Sequence, residues 1–509
     1  MKKRIRSLLI PILLAVICCA NSGCDTQKKE ITSSAQLNDP SITIGVAADT
    51  SEGPLVEKEF PKAEIEYFKG ELNAYTSVSQ GKIDAFIFNK PTMIAAIRGG
   101  LTGVKLLDES VGEPNVGAVA FSPLTKIPDL EGKVNKFLDE AKADGTLDEM
   151  EERWILNAGG EMPDIDIPKE SDTHLIVGTS GTGMPFSYYI GEELAGYDVE
   201  LAYRFAAWLG ATIEFKVYDY DGLIPAADSG DIDCIFADLF ITPEREEAIK
   251  FSQPTYVGEI GIMVADNSSG GGVSNLKSSF EKTFIREGRW KLFVGGIVTT
   301  IEITILSILL GTLLGFAVYM LCRNGNRAAN TITRFCIWLI DGMPVVVLLM
   351  ILYYIIFQNS GLSGATVSII GFTLIFGSAV YNMLKNGVGA VDNGQTEAAY
   401  SLGYTDNQAF FRMVLPQTLP YFMPEYKGQI TALIKATAVV GYVAVQDLTK
   451  VGDIVRSRTY EAVFPLISVA IIYFILAAIL TRIVNKIEVR VDPRQRPAED
   501  ILEEVKIHD

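Results

Sequence analysis

Hydrophobic and polar positions follow two different patterns along the chain, and the change comes near residue 290. Before it, apolar residues recur in the short strand and helix periods of a water-soluble domain. After it, from Trp290 to Ile487, long apolar segments with few charges are typical of membrane spans. Five spans are predicted, at roughly 292–321, 333–357, 364–386, 421–445 and 462–485.

The segment that begins at Leu175 alternates strand and helix patterns. LIVGTS and IEFKVY have the composition of strands. The stretch 199–209 has a helical period, with one apolar face made of Val199, Ala202, Phe205, Ala206 and Leu209. This segment is therefore predicted to be an α/β lobe with a parallel sheet. The segment 42–154 shows similar alternation and ends in two predicted helices, 128–143 and 146–155.

Composition narrows the range of functions. The formal net charge is -18, most of it in the soluble part, which argues against nucleic-acid binding. The two histidines are His174 and His508, which argues against a histidine metal site or a nucleophile–histidine pair. No metal, cofactor or catalytic residue is therefore expected.

The first 24 residues have the pattern of an export signal. Four basic residues precede an apolar run from Leu8 to Ala20, which is too short for an ordinary membrane span. The following NSGC resembles a bacterial lipobox, although Asn21 stands where Leu is usual, and this resemblance implies lipidation of Cys24. The alternative is an uncleaved anchor helix.

Basic residues in short loops predict the orientation of the spans. The loop after the first span and the tail after the last one hold arginine and lysine, so both are predicted to be cytoplasmic. The loop 446–460 is predicted to lie outside, yet it departs from the rule because it holds Lys450, Arg456 and Arg458.

A polar stretch, GQTEAAYSLGYTDNQAFFRMVLPQTLP, separates the third and fourth spans. It is predicted to form a helix over 396–402, a turn at Gly403 and a second helix over 405–414 that ends before Pro416. It resembles the EAA loop of ABC importer permeases, the loop that docks on the ATPase. The matching residues are Glu397, Ala398, Ala399, Gly403, Met413 (for Ile), Leu415 and Pro416. The alternative is an amphipathic connector.

The resemblance extends over 279–491 and is most similar to permeases of polar amino acids. Asp341 and Met343 depart from the family's RGTP segment, and Ala436 and Ala438 replace an Asp and a Ser. Because no Walker motif occurs in the 509 residues, the resemblance implies a separate ABC ATPase chain. It also implies a second permease copy, as a homodimer or a related subunit.

The motifs GYDVELA, DYDGLIPA and ITPER resemble lobe one of the family 3 solute-binding proteins, which bind polar amino acids. The resemblance implies that Arg245, with Thr242 beside it, binds the α-carboxylate of the solute and that Tyr220 stacks on its side chain. Asp238 lies where a small residue is common on the binding strand. Ser180 replaces a common Asp, which argues against a strongly cationic solute.

The segment 41–154 resembles lobe two of the same family, followed by its closing helices. Thr50 and Ser51 correspond to residues that bind the carboxylate at a helix start. Asn89 stands where the family carries the Asp that binds the α-ammonium group. We hypothesise that Asp238 supplies the missing negative charge from the other lobe.

The two lobes occur in reversed order, which predicts a circularly permuted binding domain. Leu147, Met150 and Trp154 should then pack against 175–236 and not against the segment just before them. The alternative is a pair of degenerate half-domains. The predicted divisions are a signal peptide 1–24, lobe two with closing helices 42–155, a linker 156–172, lobe one 173–266, a linker 267–283, a membrane domain 284–490 and a cytoplasmic tail 491–509.

The predicted fold is thus a permuted, two-lobed α/β domain of the type II periplasmic-binding-protein class, followed by an all-α, five-span transmembrane domain of the ABC type I importer class. The predicted function is the receptor and permease subunit of an ATP-driven importer of a small polar solute, an amino acid, in the inner membrane. The alternatives are a ligand-gated channel and a solute-sensing receptor.

Overall fold

The structure is a computed structural model that describes residues 30–48, 50–157, 160–266, 276–323, 325, 327–358, 360–461 and 463–491. The predicted signal peptide, Cys24 and the residues of the predicted tail after 491 lie outside the described residues. So does most of the predicted linker that follows lobe one.

Lobe two is built on a five-stranded sheet whose strands come from both ends of the soluble part. In sheet order the strands are Glu64–Phe68, Thr43–Ala47, Ala85–Asn89, Ile260–Ala265 and Val104–Ser110. Its helices are Glu52–Glu59, Glu71–Ser79 and Lys90–Arg98. The predicted division placed Ile260–Ala265 in lobe one, whereas this strand pairs antiparallel with Ala85–Asn89 of lobe two.

Lobe one has a second five-stranded sheet. In sheet order its strands are Thr212–Val217, His174–Thr179, Cys234–Ile235, Ala120–Phe121 and Lys250–Phe251. Its helices are Leu130–Ala143, Thr146–Glu151, Tyr197–Leu209, Leu223–Asp228 and Pro243–Ala248. The predicted parallel arrangement is found for Thr212–Val217, His174–Thr179 and Cys234–Ile235. The sheet as a whole is mixed, because Ala120–Phe121, which the predicted division assigned to lobe two, runs antiparallel to both of its neighbours. This strand enters from lobe two and therefore runs in the opposite direction.

The chain crosses between the lobes at two adjacent strands. Asn115–Gly117 leads out of lobe two, Tyr256–Gly258 leads back into it, and the two strands pair antiparallel. A short antiparallel sheet of lobe one lies apart from the main sheets and consists of Thr182–Gly183, Ser187–Ile190 and Glu193–Ala195. A pair of crossings of this kind is the usual geometry of a hinge.

The closing helices pack where the sequence predicted. Met150 and Trp154 are fully buried in the same apolar cluster as Leu175 and Phe236, and Leu147 packs against that cluster. The indole Nε1 of Trp154 also donates to Glu200 at 2.6 Å. The helix Leu130–Ala143 belongs to this cluster as well. The prediction that the closing residues would not pack against the segment just before them is therefore wrong.

Within the described part of the chain, three helices are long and apolar enough to cross a membrane: Trp290–Cys322, Gly364–Gly389 and Val463–Lys486. Two further pairs meet the same criteria as bent spans, Arg327–Asp341 with Val345–Ile356 and Asp406–Val443 with Leu448–Thr459. The predicted second span is not straight, because the chain turns by 112° between its two helices. Pro344 lies at this break, where its ring opposes a continuous helix.

The polar stretch between the third and fourth predicted spans is helical, with the helix Asn393–Ser401 followed by Gly403 at φ +81°. The predicted helix end before Pro416 is wrong: the helical path continues from Asp406–Ala409 into Leu415–Ala436. Phe410–Val414 forms a π-helical turn between them. Proline lacks an N–H and collides with the carbonyl four residues earlier, so a wider turn accommodates it.

Candidate functional site

The two lobes meet at the carboxyl end of the strand Ala85–Asn89, in a region that we call the cleft. Asn89 is fully buried, and its Nδ2 donates to the Oδ2 of Asp238 of lobe one at 3.2 Å. The Oδ1 of Asn89 is buried without a hydrogen-bond partner. Solutes bind at the carboxyl ends of strands in open α/β sheets, so this position is a candidate site.

Asp238 adopts a left-handed backbone conformation with φ +53°. Its N–H donates to the Oδ2 of Asp198 at 2.5 Å, which stabilises this conformation. Burial, and then the carboxylate of Asp198, raises the pKa of Asp238 well above its usual value. Burial also raises the pKa of Asp198 to about 7. The cleft thus holds two neighbouring acidic groups, the buried Asp198 and the half-buried Asp238.

Arg245 lies in the first turn of the helix Pro243–Ala248. Its N–H donates to the Oγ1 of Thr242, the N-cap residue, at 3.2 Å, and its Nη1 donates to the Phe240 carbonyl at 2.8 Å. The guanidinium carbon lies 6.0 Å from the centre of the Tyr220 ring. The Tyr220 hydroxyl donates to the Asp238 carbonyl at 3.3 Å. A cation, an aromatic ring and a carboxylate therefore meet in the cleft.

The other predicted residues lie at turns after strands. Thr50 Oγ1 donates to the Ala47 carbonyl at 2.8 Å, and Ser51 Oγ donates to Asn115 Oδ1 at 3.0 Å. Ser180 is buried directly after the strand His174–Thr179. The contacts join Asn89, Asp238, Tyr220 and Arg245 as one group, whereas the hydroxyls of Thr50 and Ser51 bond elsewhere.

Sequence reasoning missed two buried carboxylates of this region, Asp198 and Glu52. Glu52 is fully buried and accepts from Asn115 Nδ2 at 2.7 Å, and burial raises its pKa. Its charge also helps to raise the pKa of Tyr220 to about 12, an effect for which burial is the main cause. The signal for Asp198 was its place inside GYDVELA, in a helix whose other buried positions are mostly apolar.

Lobe one contacts the membrane domain through what we call the docking interface, which centres on Asp219 and Lys450. The Lys450 ammonium is buried and donates to Asp219 Oδ1 at 2.9 Å and to the Tyr218 carbonyl at 2.7 Å. The Asp219 N–H donates to the Gly441 carbonyl at 3.2 Å. Because Asp219 directly precedes Tyr220, this interface adjoins the cleft.

The proposed coupling loop lies on the membrane domain's polar stretch. Its residues differ in exposure: Glu397, Ala398, Gly403 and Pro416 are exposed, Leu415 is half-buried and Ala399 is buried. Arg323, one of the basic residues of the loop after the first span, holds the coupling loop in place. Arg323 Nη2 donates to the Asp406 carbonyl at 3.0 Å, and its guanidinium carbon lies 4.4 Å from the centre of the Phe410 ring.

Comparisons with known proteins found matches of two kinds, to solute-binding proteins and to permeases. Residues 175–436 match the bacterial extracellular solute-binding proteins, family 3. The chain belongs to this family. It is also 27% identical over 210 residues to the L-cystine transport system permease protein TcyB of Bacillus subtilis (strain 168), covering 41% of this chain and 90% of that protein.

Two further proteins are similar. The putative glutamine transport system permease protein GlnP of Rickettsia bellii (strain RML369-C) is 29% identical over 200 residues, covering 38% of this chain and 90% of that protein. The crystal structure of an amino acid ABC transporter with histidines is 26% identical with a TM-score of 0.39, covering 43% of this chain and 100% of that chain. This family member therefore joins a solute-binding part to a permease part and is a transport subunit, not an enzyme.

Proposed function

We propose that the chain imports an α-amino acid as the combined receptor and permease of an ABC importer. The observation that carries the substrate class is the pairing of Arg245 and Asp238 around Tyr220 within one cleft. An α-amino acid carries a carboxylate and an ammonium group, and the cleft offers a guanidinium for the first and, for the second, a carboxyl group whose ionised form a bound ammonium group favours. The names of the similar permeases, which refer to L-cystine, glutamine and arginine, support this substrate class.

In this proposal each cleft residue has one role. Arg245, positioned by Thr242, binds the carboxylate, because a guanidinium forms two parallel hydrogen bonds with it. Asp238 binds the ammonium group together with the unpartnered Oδ1 of Asn89. Tyr220 stacks on the side chain. Thr50, Ser51 and Ser180 are proposed to lie at the edge of the site, and the hydroxyls of Thr50 and Ser51 bond to Ala47 and Asn115 instead of the solute.

The receptor is proposed to be circularly permuted. Two features support this: the strand Ile260–Ala265, encoded last, completes the sheet of lobe two, and the closing helices pack on strands encoded after them. The described linker residues run from 160 without helix or strand, and Met162 packs against lobe one. A linker of about 17 residues spans roughly 20–25 Å, enough to join ends on one lobe.

The membrane part is proposed to consist of five spans, two of them bent, and to work with a second permease copy. The exposed Glu397 and Gly403 support docking of the coupling loop on a separate ABC ATPase. We place the receptor outside the inner membrane, with Cys24 lipidated and the C-terminus in the cytoplasm. Mass spectrometry of the purified chain tests the lipid on Cys24.

The test of the substrate class is solute binding by the full chain in lipid nanodiscs. Binding of the standard L-amino acids is measured by thermal shift and calorimetry. We expect one class to bind and Arg245→Ala to weaken its Kd by about 10- to 100-fold, the effect of losing hydrogen bonds to a charged group. Arg286→Ala is the matched control, since Arg286 is an exposed arginine outside the cleft. Failure of every L-amino acid to bind would refute the proposal.

A further inference from the structure

The helix Leu448–Thr459 of the membrane domain contacts both lobes of the receptor. Near its start, Lys450 binds Asp219 of lobe one. Near its end, Arg456 Nη2 donates to Asn73 Oδ1 of lobe two at 2.8 Å. The guanidinium carbon of Arg458 lies 5.4 Å from the centre of the Tyr188 ring of lobe one. A rigid helix of this length thus spans the line along which the lobes meet, which we call the seam.

Tyr460 ends this helix and lies in the seam. Its backbone is left-handed, with φ +52°, and its N–H closes the helix on the Arg456 carbonyl at 2.9 Å. The ring packs against the buried apolar cluster of lobe one and also against that of lobe two. A left-handed conformation is unusual for a tyrosine, and here it directs the chain out of the helix at the seam.

The lobe-two wall of the seam is shaped to receive this ring. Gly99 follows the helix Lys90–Arg98, and a Cβ at this position would overlap the Tyr460 ring. The φ of Gly99 is -71°, so its backbone does not require glycine. The close approach of the Tyr460 ring therefore explains why residue 99 is a glycine.

We propose that Tyr460 is a positioning residue that couples the separation of the lobes to the membrane domain. The ring contacts both walls at the interlobe spacing of the docked state, so a change in spacing breaks one of the contacts. A displacement of the helix Leu448–Thr459 by the lobes then reaches the membrane domain, because the apolar face of this helix packs on that domain in a cluster with Phe293 and Val469. The inference rests on the proposed function, in which the lobes close on a solute.

The first test needs no solute. Hydrogen exchange is measured on the full chain in nanodiscs, in peptides that cover Lys90–Arg98 of lobe two and Ser187–Ile190 of lobe one. We expect Tyr460→Ala to speed exchange in both peptides by roughly tenfold, as the loss of an interface anchor does. Gly99→Ala should do the same and should add nothing further in the Tyr460→Ala background.

Gly295→Ala is the matched control, because a Cβ there meets nothing within 4 Å. The proposal is overturned if Tyr460→Ala leaves either lobe unchanged, if the two substitutions act additively, or if the control has the same effect. These outcomes do not depend on which solute the receptor binds.

The second test adds L-glutamine, L-cystine and L-arginine separately. In the unmodified chain a bound solute should slow exchange in the cleft strand Ala85–Asn89 and also in the helix Leu448–Thr459. In Tyr460→Ala the strand should remain protected and the helix should lose its protection; equal protection of the helix in both proteins would overturn the proposal. If no solute protects the strand in any variant, the amino acid assignment fails, and the solute-free test still decides the role of Tyr460.

Discussion

The ion pair of the docking interface gives a prediction whose size can be worked out from the structure. Lys450→Met keeps the length of the side chain and removes its charge, so Asp219 loses its buried ion-pair partner in the membrane domain. Because the two residues belong to different domains, the substitution should weaken docking and leave the folding free energy of each domain unchanged. We therefore expect the receptor to dissociate from the membrane domain more often while both remain folded.

The environment of Asp219 sets the magnitude. Burial acts to raise the pKa of Asp219, but the Lys450 ammonium, with a smaller contribution from Lys69, holds it below its usual value. Removing one partner of a buried pair costs about 3–5 kcal/mol. The Asp219 side chain is still 24% exposed and Lys69 remains nearby, so we expect a lower cost, about 2–3 kcal/mol. That cost shifts the docking equilibrium by about 30- to 150-fold.

The assay uses an amide that bridges the interface. The Asp219 N–H donates to the Gly441 carbonyl, so its hydrogen exchange reports how often the interface opens. Exchange of this amide in the full chain should speed up by the same factor of about 30 to 150 when Lys450 is replaced by Met. Circular dichroism and the exchange of the strand His174–Thr179 control for unfolding.

The double variant Asp219→Asn with Lys450→Met decides the cause. Replacing both partners leaves no buried unpaired charge, so we expect it to dock better than Lys450→Met alone. The reasoning is refuted if the docking interface of the double variant opens as often as the summed effects of Asp219→Asn alone and Lys450→Met alone predict. The pH dependence follows from the lowered pKa of Asp219. The contribution of the ion pair to docking is complete above the usual pKa near 3.8 and is lost as the pH falls below that value.

Two further substitutions test the cleft and the coupling loop. Burial raises the pKa of Asp198 to about 7 in the folded chain, so ionisation in the unfolded chain lowers the free energy of unfolding as the pH rises from about 4 to 7. Asp198→Asn should therefore raise the free energy of unfolding at pH 8 by up to about 4 kcal/mol, seen as a higher Tm, with no gain near pH 4. A gain that is the same at every pH in thermal scans would contradict this. Arg323→Ala removes the hydrogen bond to the Asp406 carbonyl and should lower ATP-driven uptake about tenfold with the partner ATPase, leaving the solute Kd unchanged. A changed solute Kd in calorimetry would contradict a role confined to the loop.

Periodicity predicted those parts of the fold that depend on local burial. The apolar face predicted for the helix 199–209 is buried at Val199, Ala202 and Phe205. Such positions follow from sequence because one buried helix face needs one repeating set of apolar residues. The packing of Trp154 in the cluster of lobe one is predicted from the reversed order of the lobes and not from its helical period.

Features that depend on long-range contact did not follow from periodicity. The antiparallel strand Ala120–Phe121 depends on the crossing between lobes, and the 112° bend of the second predicted span interrupts an apolar run that hydropathy treats as continuous. The cleft carboxylate Asp198 has a role through Asp238, which lies 40 residues later. Pairing across such distances leaves no local pattern.

The loop 446–460 shows how a departure from a local rule can mark a distant contact. Lys450, Arg456 and Arg458 made the loop an exception to the positive-inside rule. In the structure each of the three contacts the receptor, through Asp219, Asn73 and the Tyr188 ring respectively. Their charge is therefore accounted for by the receptor and gives no information about the side of the membrane.

The order of the chain gives the two lobes different tethers to the membrane domain. Lobe two leads to it covalently, since its strand ends at Ala265 and the next described helix begins at Leu276. The eleven residue steps from 265 to 276 can span at most about 40 Å, so lobe two stays close even when undocked. Lobe one is held by noncovalent contacts centred on Lys450. Weakening that ion pair should therefore release lobe one first and widen the cleft, so docking and solute affinity should change together.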